Sequence, residues 1–211
     1  YIYIIKINTV TELIKEILAV PAENQTTEFK RLSGNEIVGK IIETIVAMTN
    51  IDGGVIVLGV SDPEETNLKG LNRIFGIEEN INNFDAIGRE IQRIIPPLAS
   101  IWPLDKILVK EAKKAIALLF IPKATDSFRS INNHVYIRQE KSNKLLTPQE
   151  VVRFAYAKGF EKADKELVEV DFNLLNTNEF NQWKNNRSIE NADIRLVLEK
   201  TGLARKNEKG I

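Results

Sequence analysis

The chain has 211 residues, no cysteine and a single histidine, and its 29 basic and 29 acidic residues leave it without net charge. Disulfides and cysteine-ligated zinc are therefore excluded, the lack of cysteine fits a cytoplasmic protein, and any metal site would consist of carboxylates, which favour Mg²⁺ or Mn²⁺. The sequence has no run of about 18 apolar residues, so we expect no membrane span, and nucleic-acid binding would need a local basic patch because no overall surplus exists.

The beginning of the chain predicts a strand and a short helix. Residues 1–7 alternate and are rich in β-branched side chains, which is typical of a strand. The segment Thr9–Glu12 has the Ser/Thr-x-x-Glu form of a capping box, so it predicts a helix that ends before Pro21. Residues 26–32 predict a short extended piece.

A longer helix and a buried strand come next. The segment Ser33–Glu36 has the form of a second capping box, and the residues after it place apolar side chains on two adjacent helical rows, which is typical of a helix packed across a sheet. The helix breaks at Asn50–Gly54, where Gly53 and Gly54 permit a sharp turn. The run Val55–Val60 is apolar on both faces and predicts a central strand covered on both sides.

The remaining pattern predicts further strands and helices. In chain order they are a loop over 61–83, a helix over Phe84–Ile95, a hairpin of two strands over 101–109 and 115–121, a strand over His134–Arg138, and a helix after the capping box Thr147–Glu150. Together the elements predict an α+β fold with a mixed, mainly antiparallel sheet flanked by helices.

We expect residues 1–160 to form the main domain. Residues 161–170 are highly charged and predict a linker, and 177–184 and 189–201 predict two helices. We therefore expect residues 161–211 to contain a small helical extension that begins a further, truncated region.

Three carboxylates form the first candidate site. Glu23 and Glu28 are close in sequence, and Asp62 follows the buried strand, so the three side chains could converge on Mg²⁺ or Mn²⁺ and serve as catalytic and metal-binding residues. The alternative is that they are solvated loop residues.

Basic residues form the second candidate site. Tyr136 and Arg138 share one face of a predicted strand, and Lys141 and Lys144 lie in the turn after it, so this segment could hold phosphates and stack a base. Lys30 and Arg31 are further candidates for binding nucleic acid. A solvated strand-to-helix turn is the competing interpretation.

These segments together resemble the Schlafen AlbA_2 domain family. The resemblance covers roughly Ala22 to Lys158 and rests on motifs in family order. They are Glu23, Glu28-Phe29-Lys30, the helix end Ile45–Asn50, Gly53-Gly54, Leu58-Gly59-Val60, Asp62, Tyr136-Ile137-Arg138, Ser142-Asn143 and Thr147-Pro148-x-Glu150.

The resemblance implies a protein that handles nucleic acid. Many bacterial members are described as DNA-binding regulators, whereas eukaryotic Schlafen proteins and some bacterial relatives linked to phage defence are metal-dependent endoribonucleases that act on tRNA. Glu23, Glu28 and Asp62 match the catalytic carboxylates of the nucleases one by one.

Three hypotheses therefore stay open. The chain is a DNA- or RNA-binding module of a bacterial regulator or defence protein, an endoribonuclease in which Lys30 or a nearby basic residue holds the scissile phosphate, or a non-catalytic assembly module. A homodimer is expected by analogy with relatives that pair two such lobes.

Overall fold

A computed structural model describes residues 10–98, 101–102, 104, 106–161 and 177–202. The chain divides into two compact units, residues 1–160 and 161–211. The predicted strand over residues 1–7 lies outside the described residues, as does the predicted linker apart from Glu161.

The first unit is built from six strands and four α-helices among its described residues. The strands are β1 (Thr27–Lys30), β2 (Gly54–Leu58), β3 (Lys106–Val109), β4 (Lys114–Ile121), β5 (Tyr136–Gln139) and β6 (Ser142–Leu145). The helices are α1 (Val10–Ala19), α2 (Ile37–Thr49), α3 (Ile81–Ile91) and α4 (Pro148–Lys158), with short 3₁₀ turns at Gly70–Arg73 and Ile77–Asn80.

The main sheet has four strands in the order β1-β2-β4-β3. Strand β1 runs parallel to β2, and the other neighbours are antiparallel. Strands β5 and β6 form a separate antiparallel hairpin. The predicted α+β class with a mixed, mainly antiparallel sheet is therefore confirmed.

Two apolar clusters hold the sheet between helices. Helices α2 and α3 cover one face, and α1 covers part of the other, because alternate strand residues point to opposite sides. The first cluster includes Ile41, Ile45, Met48, Ile56, Leu58, Phe84, Ile87, Ala117 and Leu119. The second includes Ile14, Ile17, Phe29, Val57, Val109 and Ile116.

The turn from α2 into β2 depends on two glycines at positive φ. Gly53 has φ +73° and Gly54 φ +150°, and a Cβ atom would collide with the carbonyl of Ile121 at the first position and of Thr26 at the second. The close approach lets β2 enter the sheet between β1 and β4. The predicted sharp turn into a covered central strand is thus confirmed.

Two local predictions are wrong. No capping box forms at Ser33–Glu36, because α2 begins at Ile37 with Glu36 as its N-cap, so Ser33 lies three residues too early to cap the helix. The predicted turn over 141–144 largely becomes strand β6, since tertiary pairing with β5 overrides the weak strand preference of Ser142–Leu145.

Capping is confirmed at the start of α4. The Thr147 hydroxyl accepts from the Glu150 N–H, and the Glu150 carboxylate accepts from the Thr147 N–H. In the second unit, Thr177 caps α5 (Asn178–Asn185) and Asp193 caps α6 (Ile194–Lys200), in agreement with a small helical extension. No helix in the described ranges has the length and apolar character needed to cross a membrane.

Candidate functional site

Glu28 is a buried carboxylate held by two cations. It lies in β1 and is 3% exposed. Its Oε1 lies 2.5 Å from Lys30 Nζ, and its Oε2 accepts a hydrogen bond from the Arg138 guanidinium of β5. Glu28 and Lys30 share one side of β1 because side chains alternate along a strand, while Phe29 enters the second apolar cluster. The carboxylate thus joins β1 to the β5–β6 hairpin.

Glu23 lies along the open edge of β1. Strand β1 is an outer strand, and the outward N–H of Phe29 donates to Glu23 Oε1 at 2.8 Å. The same oxygen lies 3.7 Å from Lys30 Nζ. A side chain therefore satisfies an edge N–H that none of the described strands pairs with, and this fixes Glu23 beside Glu28.

The surroundings of Glu23 favour its protonated form. Burial raises its pKa to about 7, the neighbouring carboxylates of Glu28 and Asp62 add to the rise, and the Phe29 N–H and Lys30 oppose it. At Lys30, burial lowers the pKa, but the carboxylates of Glu28 and Glu23 outweigh that effect and raise it. Lys30 therefore stays an ammonium, while Glu23 can exchange a proton near neutral pH.

Asp62 reaches the same region from the loop after β2. It is buried, and its Oδ1 accepts from the N–H of Glu64 at 2.8 Å. Strands β1 and β2 are parallel, so both end at the same edge of the sheet. The Gly59 N–H donates to Lys30 O just beyond the last residue of β2. Asp62 is close enough to raise the pKa of Glu23.

A buried polar chain extends from this cluster to α2. Arg138 Nη1 donates to Asn143 Oδ1 at 2.9 Å, and Asn143 Nδ2 donates to Thr44 Oγ1 at 2.8 Å. Arg138 is 3% exposed, and its Nε has no hydrogen-bond partner among the described residues. The side chains of β1, β5, β6 and α2 are therefore locked in one arrangement.

Asn50 fixes the approach of β5 to α2. Its side chain donates to the carbonyls of Arg129 and Tyr136 and accepts from the N–H of Arg129 at 2.7 Å. It is fully buried at the end of α2. Asn50 thereby positions the strand that carries Arg138.

An open cavity of about 380 Å³ lies beside the cluster. Lys141, which is 55% exposed, forms an ion pair with Glu64 at 3.1 Å on its rim. The cavity is lined by Ala22, Glu23, Asn24, Gln25, Glu64, Glu140 and Lys141. It offers carboxylate and amide groups together with one ammonium.

The structure brings only some of the predicted residues together. Glu23, Glu28, Lys30 and Arg138 are in contact, with Asp62 near Glu23 and Lys141 on the cavity rim. Arg31, Tyr136 and Lys144 bind other partners. Arg31 pairs with Glu79 and stacks on Phe75, the Tyr136 hydroxyl donates to Glu43 at 3.4 Å, and Lys144 pairs with Glu150 at 2.7 Å.

Sequence reasoning missed Asn24, Gln25, Glu64 and Glu140. These polar residues line the cavity, but they lie in turns of ordinary composition, so no local pattern marks them. Asn143 had a signal, since it belongs to the Ser142-Asn143 motif of the resemblance.

The predicted metal ligands are engaged with other groups in this arrangement. Both oxygens of Glu28 contact cations, and Glu23 Oε1 contacts an N–H. Within the ranges that the structure describes, no three His, Asp or Glu side chains are grouped so as to hold a metal ion. The arrangement therefore does not fit a metal unless Lys30 or Arg138 releases Glu28.

One family model and one solved structure are reported as similar to this chain. The family model described as Schlafen, AlbA_2 matches residues 23–147, which is more than half of the chain. A search of curated proteins found no match to this chain. The crystal structure of the DIP2311 protein from Corynebacterium diphtheriae is similar with a TM-score of 0.45 and 13% identity, covering 95% of this chain and 44% of that one. The chain thus spans less than half the length of that protein.

Proposed function

Since the chain belongs to the Schlafen AlbA_2 family, whose domains are of the nucleic-acid-binding type, we propose that its first unit binds a strand of DNA or RNA at the cavity beside Glu23. The protein would act within a bacterial regulator or defence system. The observation that carries the proposal is the convergence of Arg138 with Glu23, Glu28 and Lys30, which lie more than 100 residues earlier in the chain, beside one open cavity.

The mixed charge of the site suits a nucleotide strand. Lys141 on the rim and the partly exposed Lys30 can contact phosphates. The carboxylates of Glu23 and Glu140 can accept hydrogen bonds from base amino groups or a 2′-hydroxyl, and the amides of Asn24 and Gln25 can donate or accept. A ligand with negative phosphates and donor-rich bases or sugars matches both signs of charge.

Equilibrium binding tests the proposal. Fluorescence anisotropy of labelled single-stranded RNA and DNA should give a dissociation constant in the micromolar range at low salt, with affinity falling as salt rises. Lys141→Glu should weaken binding by about tenfold because it reverses a charge on the rim. Arg93→Glu is the matched control, since Arg93 is also exposed and paired with a carboxylate but lies outside the cavity lining.

Two outcomes contradict the proposal. If neither nucleic acid is retained at low salt, binding fails, and a stable dimer in sedimentation velocity would then support the assembly-module alternative. If Arg93→Glu weakens binding as much as Lys141→Glu does, the cavity is not the contact surface.

A second candidate function is endoribonuclease activity. The observation that favours it is the pKa of Glu23, about 7, because a general acid or base works best with a pKa near the operating pH. Glu28 and Asp62 lie near Glu23, and Lys30, whose ammonium contacts Glu28, would hold the phosphate. Dependence on Mg²⁺ or Mn²⁺ stays a prediction, since an ion at Glu28 would have to replace a cation that already contacts it.

Cleavage of tRNA in the presence of Mn²⁺ tests this candidate. The parent should produce discrete fragments, and Glu23→Gln should reduce the rate by about 100-fold or more while keeping the parent's circular dichroism spectrum. Glu36→Gln, at an exposed glutamate before the start of α2, is the control and should cleave like the parent. An intact tRNA with the parent, alongside preserved RNA binding, would eliminate the nuclease and leave the binding module.

A further inference from the structure

The cations that the sequence singles out for nucleic-acid binding are all paired. Lys30 and Arg138 contact Glu28, Lys141 contacts Glu64, Arg31 contacts Glu79, and Lys144 contacts Glu150. Phosphate binding draws its affinity from cations that release counterions, and a cation already neutralised by a carboxylate contributes less. The main electrostatic attraction must therefore come from other residues.

Strand β3 and the turn into β4 carry lysines without such partners. The segment 106–114 contains four lysines and one acidic residue, Glu111. Lys106, Lys110 and Lys113 are exposed, and none of the three forms a salt bridge with a carboxylate in the described part of the chain. In a chain with no net charge, this is a concentrated positive surface.

The lysines of β3 share one side of the strand, where the Lys106 ammonium lies 5.3 Å from the centroid of the Phe84 ring. Lys106, Leu108 and Lys110 alternate with Ile107 and Val109, so the three lie on one side while the other two face the second apolar cluster. Leu108 is 57% exposed between the two lysines. Strand β3 is also an outer strand of the sheet, so no described strand covers its free edge.

The turn brings a third exposed lysine, Lys113, close to Lys110. Lys113 adopts a positive φ of 54° and its N–H donates to Lys110 O, so the chain reverses tightly between the two lysines. Lys114 does not belong to this exposed group, because its ammonium donates to Ile74 O at 3.0 Å. Glu78 also approaches β4, but its carboxylate accepts from the N–H of Ala115. The surplus on this surface therefore resides on Lys106, Lys110 and Lys113.

We propose that this lysine surface, Lys106, Lys110 and Lys113, is a second contact site of the protein, and that it binds the phosphate backbone of nucleic acid. The inference rests on the proposed function and adds the surface that supplies electrostatic attraction. The exposed Leu108 packs against sugar or base edges between the phosphates. The simple alternative is that edge lysines only prevent strand-to-strand aggregation, which is a common use of lysine at a sheet edge.

Salt-dependent binding of labelled single-stranded RNA distinguishes these roles. The variant Lys106→Gln/Lys110→Gln/Lys113→Gln should bind at least about tenfold more weakly at low salt. The slope of log affinity against log salt should fall by about 2, at roughly 0.7 for each phosphate that a lysine no longer neutralises. The control Lys40→Gln/Arg93→Gln/Arg153→Gln removes the same charge from exposed positions elsewhere and should keep the parent's slope.

The outcomes separate this inference from the proposed function. If the parent binds no nucleic acid, the proposed function fails first. If the parent binds and the triple lysine variant keeps its affinity and slope, this inference alone is overturned, and aggregation of that variant in sedimentation velocity would assign the lysines to edge protection. If the variant keeps its RNA affinity but no longer binds phosphatidylserine vesicles that the parent binds, the lysines serve an anionic membrane surface instead.

Discussion

At the scale of single residues, Glu28 and Arg138 form a buried pair 110 positions apart in sequence. Removing water from both charges is costly, so the pair is stable only while each partner and the surrounding hydrogen bonds are present. The Arg138 side chain is further bound by Asn143, which is bound by Thr44. The site is therefore rigid, and its rigidity depends on the ion pair.

Arg138→Met should strongly destabilise the protein. It leaves Glu28 buried with Lys30 as its remaining cation, so the free energy of unfolding in urea should fall by about 3 kcal/mol. Lys141→Met breaks an exposed pair with Glu64 and should change it by less than about 1 kcal/mol. Equal effects of the two substitutions would contradict the buried role of Arg138.

Glu23 should give stability a pH dependence of its own. Its pKa rises from 4.5 to about 7 on folding, so between these values the folded protein holds a proton that the unfolded chain has lost. This contribution to stability is complete below pH 4.5 and is lost as the pH rises through 7. Glu23→Gln should therefore gain about 1 kcal/mol relative to the parent between pH 5 and pH 8, measured by urea unfolding. The same gain in Glu36→Gln would show that the effect is not specific to Glu23.

At the scale of elements, the entry into β2 is a tightly constrained turn. Gly54→Ala should lower the free energy of unfolding by about 3 kcal/mol, because the new Cβ would collide with Thr26 O and the φ of +150° disfavours a side chain. Gly39→Ala in the exposed first turn of α2 has open space and should instead raise it by about 0.5 to 1 kcal/mol. Thermal unfolding of both variants measures these changes in stability. An alanine at position 54 that leaves stability unchanged would contradict the close packing of β1 and β2.

The elements that sequence reasoning predicts well are those with strong local periodicity. Helix α2 and strand β2 follow from their apolar patterns, and the Thr147–Glu150 capping box marks the start of α4. Strand β6 could not be predicted, because Ser142–Leu145 becomes a strand only through pairing with β5. The Ser33–Glu36 pattern was misleading because α2 begins only at Ile37, with Glu36 and not Ser33 at the N-cap position.

At the scale of the whole molecule, only part of the candidate site could be predicted from the sequence. Family motifs identify Glu23, Glu28 and Asp62 as candidates, but no sequence pattern reveals that Arg138 neutralises Glu28 or that Arg31 pairs with Glu79. Ion pairing depends on which strands the fold brings together, and β1 and β5 are far apart in sequence but adjacent in the fold. The sequence therefore shows which charged side chains are present but not which of them form ion pairs with one another.

The way in which charge is distributed over the surface changes how the zero net charge of the chain is interpreted. Many of the exposed cations are balanced by a neighbouring carboxylate, whereas the lysine surface of β3 and its turn is not. A protein without net charge can thus present both a mixed-charge cavity and a local positive surface. Nucleic-acid binding does not require an overall basic surplus in this arrangement.

Hydrogen exchange with and without a saturating single-stranded RNA tests the central claim, binding at the cavity beside Glu23, most directly. We expect slower exchange of the amides in residues 23–25 and 139–142, which border the cavity, and little change in α3, whose residues do not line it. RNA that binds while leaving exchange in residues 23–25 and 139–142 unchanged would contradict binding at this cavity.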